Sequence, residues 1–94
     1  MSYSSIDPII NAWIRRHSLT LYTKHQDSEV RSVNIVNKVG SKFQIWVEPP
    51  IASVVAVHLW DYKKKSRDWK VEFTELDGIL EQAISTVNSW SDEK

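Results

Sequence analysis

The chain has 94 residues, which is the length of one domain with a single modest core. Its 12 basic and 12 acidic side chains cancel, and this argues against a general affinity for the phosphate backbone of nucleic acids. It contains no cysteine, no signal-peptide pattern and no apolar run near the ~20 residues of a membrane helix, which excludes disulfide and thiolate chemistry and favours a cytoplasmic location.

The first predicted element is a helix that ends near His17 or Ser18. Asp7 and Pro8 are typical of a helix start, because the carboxylate caps free N–H groups and proline suits the first helical position. The helix is indicated by residues at helical spacing, namely Ile6, Ile9, Ile10, Trp13, Ile14 and His17. We expect residues 1–5, before this helix, to be frayed.

Five strands follow, each indicated by alternating apolar and polar side chains. They are predicted near residues 19–24, 30–37, 42–48, 54–62 and 69–73. Gly40 is expected to take a positive φ in a hairpin turn, Pro49 and Pro50 end the third strand, and a charged loop spans residues 63–68. Val30 and Val36 are out of phase in the second strand, which indicates a bulge or cover on both faces.

A second helix ends the chain. Thr74 and Asp77 have the spacing of a capping box. One apolar face then runs through Leu76, Ile79, Leu80, Ala83, Ile84, Val87 and Trp90, and residues 91–94 are expected to be frayed. The short connections predict an antiparallel meander with both helices on one face, which is a two-layer α+β sandwich forming a single domain over residues 1–94.

One face of the predicted sheet stands out because it is aromatic where a soluble sheet is normally polar. Trp46 and Trp60 fall in the phase opposite to the apolar residues that face the helices. Large aromatic rings with a polar fringe are typical of a binding patch. The predicted partner-binding residues are Tyr22, Trp46, His58, Trp60, Tyr62, Lys70 and Glu72. In the alternative interpretation, the Pro49–Pro50 segment or the 63–68 loop folds over these rings.

The sequence favours a small non-enzymatic module that binds another protein or a second copy of itself. A first alternative is a binder of single-stranded nucleic acid, which uses the same aromatic rings together with the basic residues Lys63, Lys64, Lys65 and Arg67. The basic loop on its own is more typical of a solvated hairpin loop than of a phosphate-binding patch.

A second alternative is an enzyme or ligand pocket between helix and sheet, with His58 or His17 as the polar group. Neither a glycine-rich phosphate loop nor a G-x-S-x-G motif is present, and the three histidines lie in three different elements. The sequence therefore predicts no catalytic residue, no metal site and no cofactor.

Overall fold

The structure, a computed structural model, describes residues 3–37 and 40–90; of His25 it describes the backbone only. Two helices flank five strands, and a short 3-10 turn precedes each helix. The elements are a turn at Tyr3–Ser5, α1 (Asp7–His17), β1 (Leu21–His25), β2 (Ser28–Val36), β3 (Lys42–Val47), β4 (Val54–Trp60), β5 (Ser66–Glu72), a turn at Phe73–Glu75 and α2 (Leu76–Trp90). The predicted tail at 91–94 lies outside the described residues.

The strands form one antiparallel sheet in the order β1-β2-β3-β4-β5, which confirms the predicted α+β meander. The register of β1 against β2 shifts between Tyr22 and Lys24, so the irregularity that Val30 indicates is a bulge. Gly40 has a φ of 87°, as its turn requires. The strand ends differ from the prediction, because β2 begins at Ser28, β4 ends at Trp60 and β5 begins at Ser66.

Both helices pack on one face of the sheet and build the core there. Side chains that alternate along β3 and β4 point into this layer, and each is 3% exposed or less. The core joins residues of both helices to these strands: Ile10, Trp13, Leu80, Ala83, Val87, Phe43, Ile45, Val47, Val55, Val57 and Leu59. Burying one such aliphatic side chain contributes about 1.5–3 kcal/mol, so this layer carries most of the apolar stabilisation.

The start of α1 is fixed by an ion pair with the sheet rather than by the predicted cap. Ile6 occupies the cap position without a side-chain hydrogen bond, and Asp7 is the first helical residue. The carboxylate of Asp7 accepts hydrogen bonds from Nε and Nη2 of Arg31 at 2.7 and 3.0 Å. The guanidinium of Arg31, a buried residue, also lies 4.4 Å from the ring centroid of Tyr3. Capping by Asp7 was thus a wrong prediction, because a distant arginine takes its carboxylate.

Tyr3, ahead of α1, packs into the core. Tyr3 is 5% exposed, and its hydroxyl donates a hydrogen bond of 2.7 Å to the carbonyl of Val47. Fraying of residues 1–5 stays a prediction, and the contacts of Tyr3 are those that the sequence analysis did not anticipate. The turn that Tyr3–Ser5 forms closes the end of the core next to β3.

The start of α2 also departs from the prediction. Phe73–Glu75 forms a 3-10 turn and the helix begins at Leu76, so Thr74 does not occupy the cap position of a capping box. The carboxylate of Asp77 instead accepts a hydrogen bond of 3.1 Å from Nη2 of Arg16. Glu81, one turn further along, bonds both Arg16 and His17. These charged contacts hold α1 against α2. Neither described helix is long and apolar enough to cross a membrane.

Candidate partner-binding face

The sheet has an open face, defined as the side from which the outward side chains of β1–β5 point away from both helices. Strand register orders this face into rows. In one row Ser32, Trp46 and His58 lie opposite one another, and Asp68 on β5 continues it. The next row contains Asn34, Gln44, Trp60 and Ser66. Trp46 and Trp60 therefore occupy adjacent rows of the open face, on neighbouring strands.

Each tryptophan of the open face is partly covered by a neighbouring ring. Trp46 stacks on His58 with 4.8 Å between the ring centroids and an angle of 24° between their planes. Trp60 contacts Tyr62 at 4.7 Å and 46°. Both indoles are half-buried, whereas Tyr22 and Tyr62 are 49% and 41% exposed. The face thus presents paired rings rather than isolated ones.

Shallow grooves cross the open face. One groove has a volume of about 670 Å³. Its lining residues include Trp46, Val30, Gln44 and His58. A second groove of about 520 Å³ has Tyr22 and Tyr62 on its walls. Pro49 borders a third groove, which also includes Ile51 and Val54. Because these grooves remain open, the segment around Pro49 borders the face and does not close over it.

His58 stands between two carboxylates in the middle of this face. Its Nδ1 lies 2.6 Å from Oδ1 of Asp68, and its Nε2 lies 2.5 Å from Oε2 of Glu48. Partial burial by itself lowers the pKa of His58, but the hydrogen bonds to Asp68 and Glu48 outweigh it and raise the pKa above 6.5. The protonated ring donates to both carboxylates, so this cluster is a compact charged unit beside Trp46.

The two carboxylates are partners of His58 that were not identified from the sequence. They lie ten residues before and ten residues after His58, whereas the acid nearest to it along the chain, Asp61, belongs to a loop. The signal was available in the strand register, because Asp68 pairs directly with His58 across β4 and β5. Sequence proximity is a poor guide in an antiparallel sheet, where the closest partners come from other strands.

Tyr62 belongs to a loop, although the sequence predicts it at the end of the fourth strand. Its φ is 65°, in the left-handed region that is unfavourable for a side chain of this size. Asp61 maintains the loop, because Oδ1 accepts the backbone N–H groups of Lys63 and Lys65 at 2.8 and 3.0 Å. The hydroxyl of Tyr62 donates to Oδ1 of Asn34, which holds the ring at the open face.

The remaining predicted residues lie at the edges of the same face. Tyr22 is opposite Ser32 on the edge strand β1. Lys70 is exposed and opposite Ala56, and Glu72 accepts a hydrogen bond of 2.8 Å from Oγ of Ser53. All seven predicted side chains therefore come from one side of the sheet.

The exposed large apolar side chains of the described residues have the same location. Val36, Val54, Tyr22 and Tyr62 are outward on the open face, and Ile51, which is 76% exposed, borders it. The helical layer has none among its described residues. The position of the aromatic residues in the strand alternation predicted this side of the sheet. It could not identify Ile51, which lies in the connection between β3 and β4, where side chains do not alternate.

The two histidines of the enzyme alternative lie in different layers. His17 is in α1 and its Nε2 is 2.9 Å from Oε1 of Glu81, whereas His58 is across the sheet on the open face. They do not share a site. Within residues 3–37 and 40–90, no group of three or more histidine and acidic side chains has an arrangement that could hold a metal ion.

Comparison of the chain with models of protein families, with curated proteins and with solved structures finds no match.

Proposed function

We propose that this chain is a small non-enzymatic module that binds a partner protein through the open face of its sheet. One observation carries the proposal: the exposed large apolar side chains of the described residues lie on or beside that face. A side of a domain that is to remain in water normally carries polar outward residues. The partner is another protein or a second copy of this chain, and we assign the module to the cytoplasm.

The composition of the face favours a protein partner over a nucleic-acid strand. Carboxylates of Glu48, Asp68 and Glu72 lie on or beside the face, and they repel a phosphate backbone laid across it. Aromatic side chains surrounded by residues of both charges are the usual makeup of protein interfaces.

Different parts of the face have different roles in this proposal. Trp46 and Trp60 supply apolar area near the centre, where truncation of an interface residue costs the most binding energy. His58 with its two carboxylates provides hydrogen-bonding groups of fixed geometry, which favour partners with complementary charges. Lys70 at the edge adds a charge that influences the association rate more than the affinity.

The test is a binding measurement with a purified partner. Affinity capture from cells that contain the gene supplies candidates, and isothermal titration with each purified candidate gives a dissociation constant. We expect the double variant Trp46→Ala/Trp60→Ala to raise the dissociation constant by about 100-fold or more, since two central anchors are lost. The variant Trp46→Phe/Trp60→Phe retains an aromatic ring at both positions and should keep most of the affinity.

A matched control lies on the other layer. Glu75 and Gln82 are exposed on the helical side, and their replacement by alanine should leave the affinity unchanged. Light scattering of the isolated chain shows whether the partner is a second copy, and in that case the tryptophan variant must be a monomer. Binding that is unaffected by the loss of both tryptophans would contradict the proposal. Cell fractionation of a tagged chain tests the cytoplasmic assignment.

A further inference from the structure

A second surface lies at one end of the sheet, where the loop after β2 and the loop after β4 meet. A groove of about 710 Å³ opens there. Four lysines and three aromatic rings contribute to its lining: Lys42, Lys63, Lys64, Lys65, Phe43, Tyr62 and Trp90. We call this the basic groove. Its volume is within the range of about 300–1,000 Å³ that is typical of sites for small organic ligands.

Positive charge in the basic groove is not balanced by the surrounding described residues. Asp61 is the acidic residue among its lining side chains, and Oδ1 of Asp61 is already bonded to the backbone N–H groups of Lys63 and Lys65. Partial burial alone raises the pKa of Asp61, but these backbone hydrogen bonds outweigh it and lower the pKa. Asp61 thus stays ionised and shapes the loop. No described carboxylate forms an ion pair with Lys42 or Lys63.

This concentration of charge is a local property of the fold. The whole chain has equal numbers of basic and acidic residues, so a general excess of lysine does not produce it. Two hairpin connections bring Lys42 to the same end of the sheet as Lys63–Lys65, about twenty positions away along the chain. Several ammonium groups that converge on one groove attract a multiply charged anion, and phosphate groups are the usual ligand of such lysines.

The aromatic side chains add a second element of recognition. The ammonium of Lys65 lies 5.7 Å from the ring centroid of Trp90, and the ring centroid of Phe43 lies 6.1 Å from the same indole. Tyr62 is 41% exposed at the border of the groove. Flat rings next to cations bind a planar organic group and its phosphates together.

We propose that the basic groove binds a nucleoside polyphosphate, with the phosphates on the lysines and the base against Tyr62 or Trp90. The carboxylates of Glu48 and Asp68 on the adjoining open face favour such a compact ligand over a long strand, because a continuing phosphate backbone would meet them. The basic groove adjoins the open face and shares Lys42 and Tyr62 with a groove of that face, but nucleotide binding does not require the proposed partner protein.

Titration with adenosine triphosphate at low salt tests the inference, with tryptophan fluorescence and isothermal calorimetry as readouts. We expect saturable binding that weakens as salt is added, no binding of adenosine, and weaker binding of inorganic tripolyphosphate. The variant Lys63→Gln/Lys64→Gln should raise the dissociation constant by about tenfold or more. Both side chains are exposed, so their replacement leaves the core intact.

A matched variant, Arg15→Gln/Lys24→Gln, removes the same number of charges from exposed positions elsewhere and should bind like the wild type. Three results would each overturn the assignment. They are the absence of saturable binding of adenosine triphosphate, equal affinity for tripolyphosphate, and equal weakening by the two charge variants. If a short oligonucleotide binds and adenosine triphosphate does not, the ligand of the groove is a nucleic-acid strand and not a nucleotide.

Discussion

Adjacent residues of the same strand lie on opposite faces of this sheet, and the two faces differ in composition and in exposure. On β4, Leu59 is fully buried under the helices, and the next residue, Trp60, is half-buried on the open face. The inner face is mostly aliphatic and closed, whereas the outer face is aromatic and grooved. From this difference we infer that the apolar residues have two roles. The inner ones stabilise the fold, and the outer face is more apolar than folding requires.

The largest expected effect comes from truncating two adjacent residues of β4, one at a time, to alanine. Leu59→Ala should lower the free energy of unfolding by about 3 kcal/mol, because it leaves a cavity in a closely packed core. Trp60→Ala removes a larger side chain but should cost only about 1 kcal/mol, since mainly the contact with Tyr62 is lost. Urea denaturation measures both values. A Trp60→Ala variant as unstable as Leu59→Ala would show that the outer ring serves the fold.

The charged cluster of the open face should make stability depend on pH. Burial lowers the pKa of His58, but the bonds to Asp68 and Glu48 raise it by more, so the folded pKa lies above that of the unfolded chain. The stabilisation is complete below about pH 6.5, the unfolded value, and is lost as the pH rises through the folded pKa.

Denaturation of the wild type and of His58→Gln at about pH 6 and about pH 9 measures this dependence. The wild type should lose stability at the higher pH, and the variant should lack that part of the change. Identical pH dependence in the two proteins would remove the cluster as a source of stability on the open face.

The smallest expected effect lies at the border of the open face, in the turn between β3 and β4. Ala52 and Ser53 have φ values of 49° and 67°, and the backbone groups of Ile51 and Val54 bond each other across the turn. Asparagine adopts this left-handed conformation more readily than alanine. Ala52→Asn should raise the free energy of unfolding by about 0.5 kcal/mol, as measured by thermal or urea denaturation. A loss of stability would show that the turn is not under this strain.

Alternation and helical spacing were sufficient to predict the element order, the meander and the inward residues of β3 and β4. The helix starts could not be predicted in this way. Arg31 and Arg16, distant along the chain, take the carboxylates of Asp7 and Asp77 that local spacing assigns to caps. The loop that contains Tyr62 was equally hidden, since it is set by hydrogen bonds from backbone groups to Asp61.

The site was predictable to the extent that it depends on strand phase. Trp46 and Trp60 follow from alternation, whereas the carboxylates around His58 require the register between strands. Register depends on where each hairpin turns, and the predicted strand ends differ from the observed ones by up to three residues. The two tryptophans of the open face could therefore be predicted from the sequence, and the carboxylates that bond His58 could not.

The most direct test of the open face is protection of a single cysteine from chemical labelling. The chain has no cysteine, so Ser32→Cys on the open face and Gln82→Cys on the helical side can be labelled one at a time. Labelling rates are compared for the isolated chain at low concentration and for its complex with the purified partner or, if the chain self-associates, at high concentration. Protection at position 32 alone is the predicted result, and protection at position 82 alone would contradict the account.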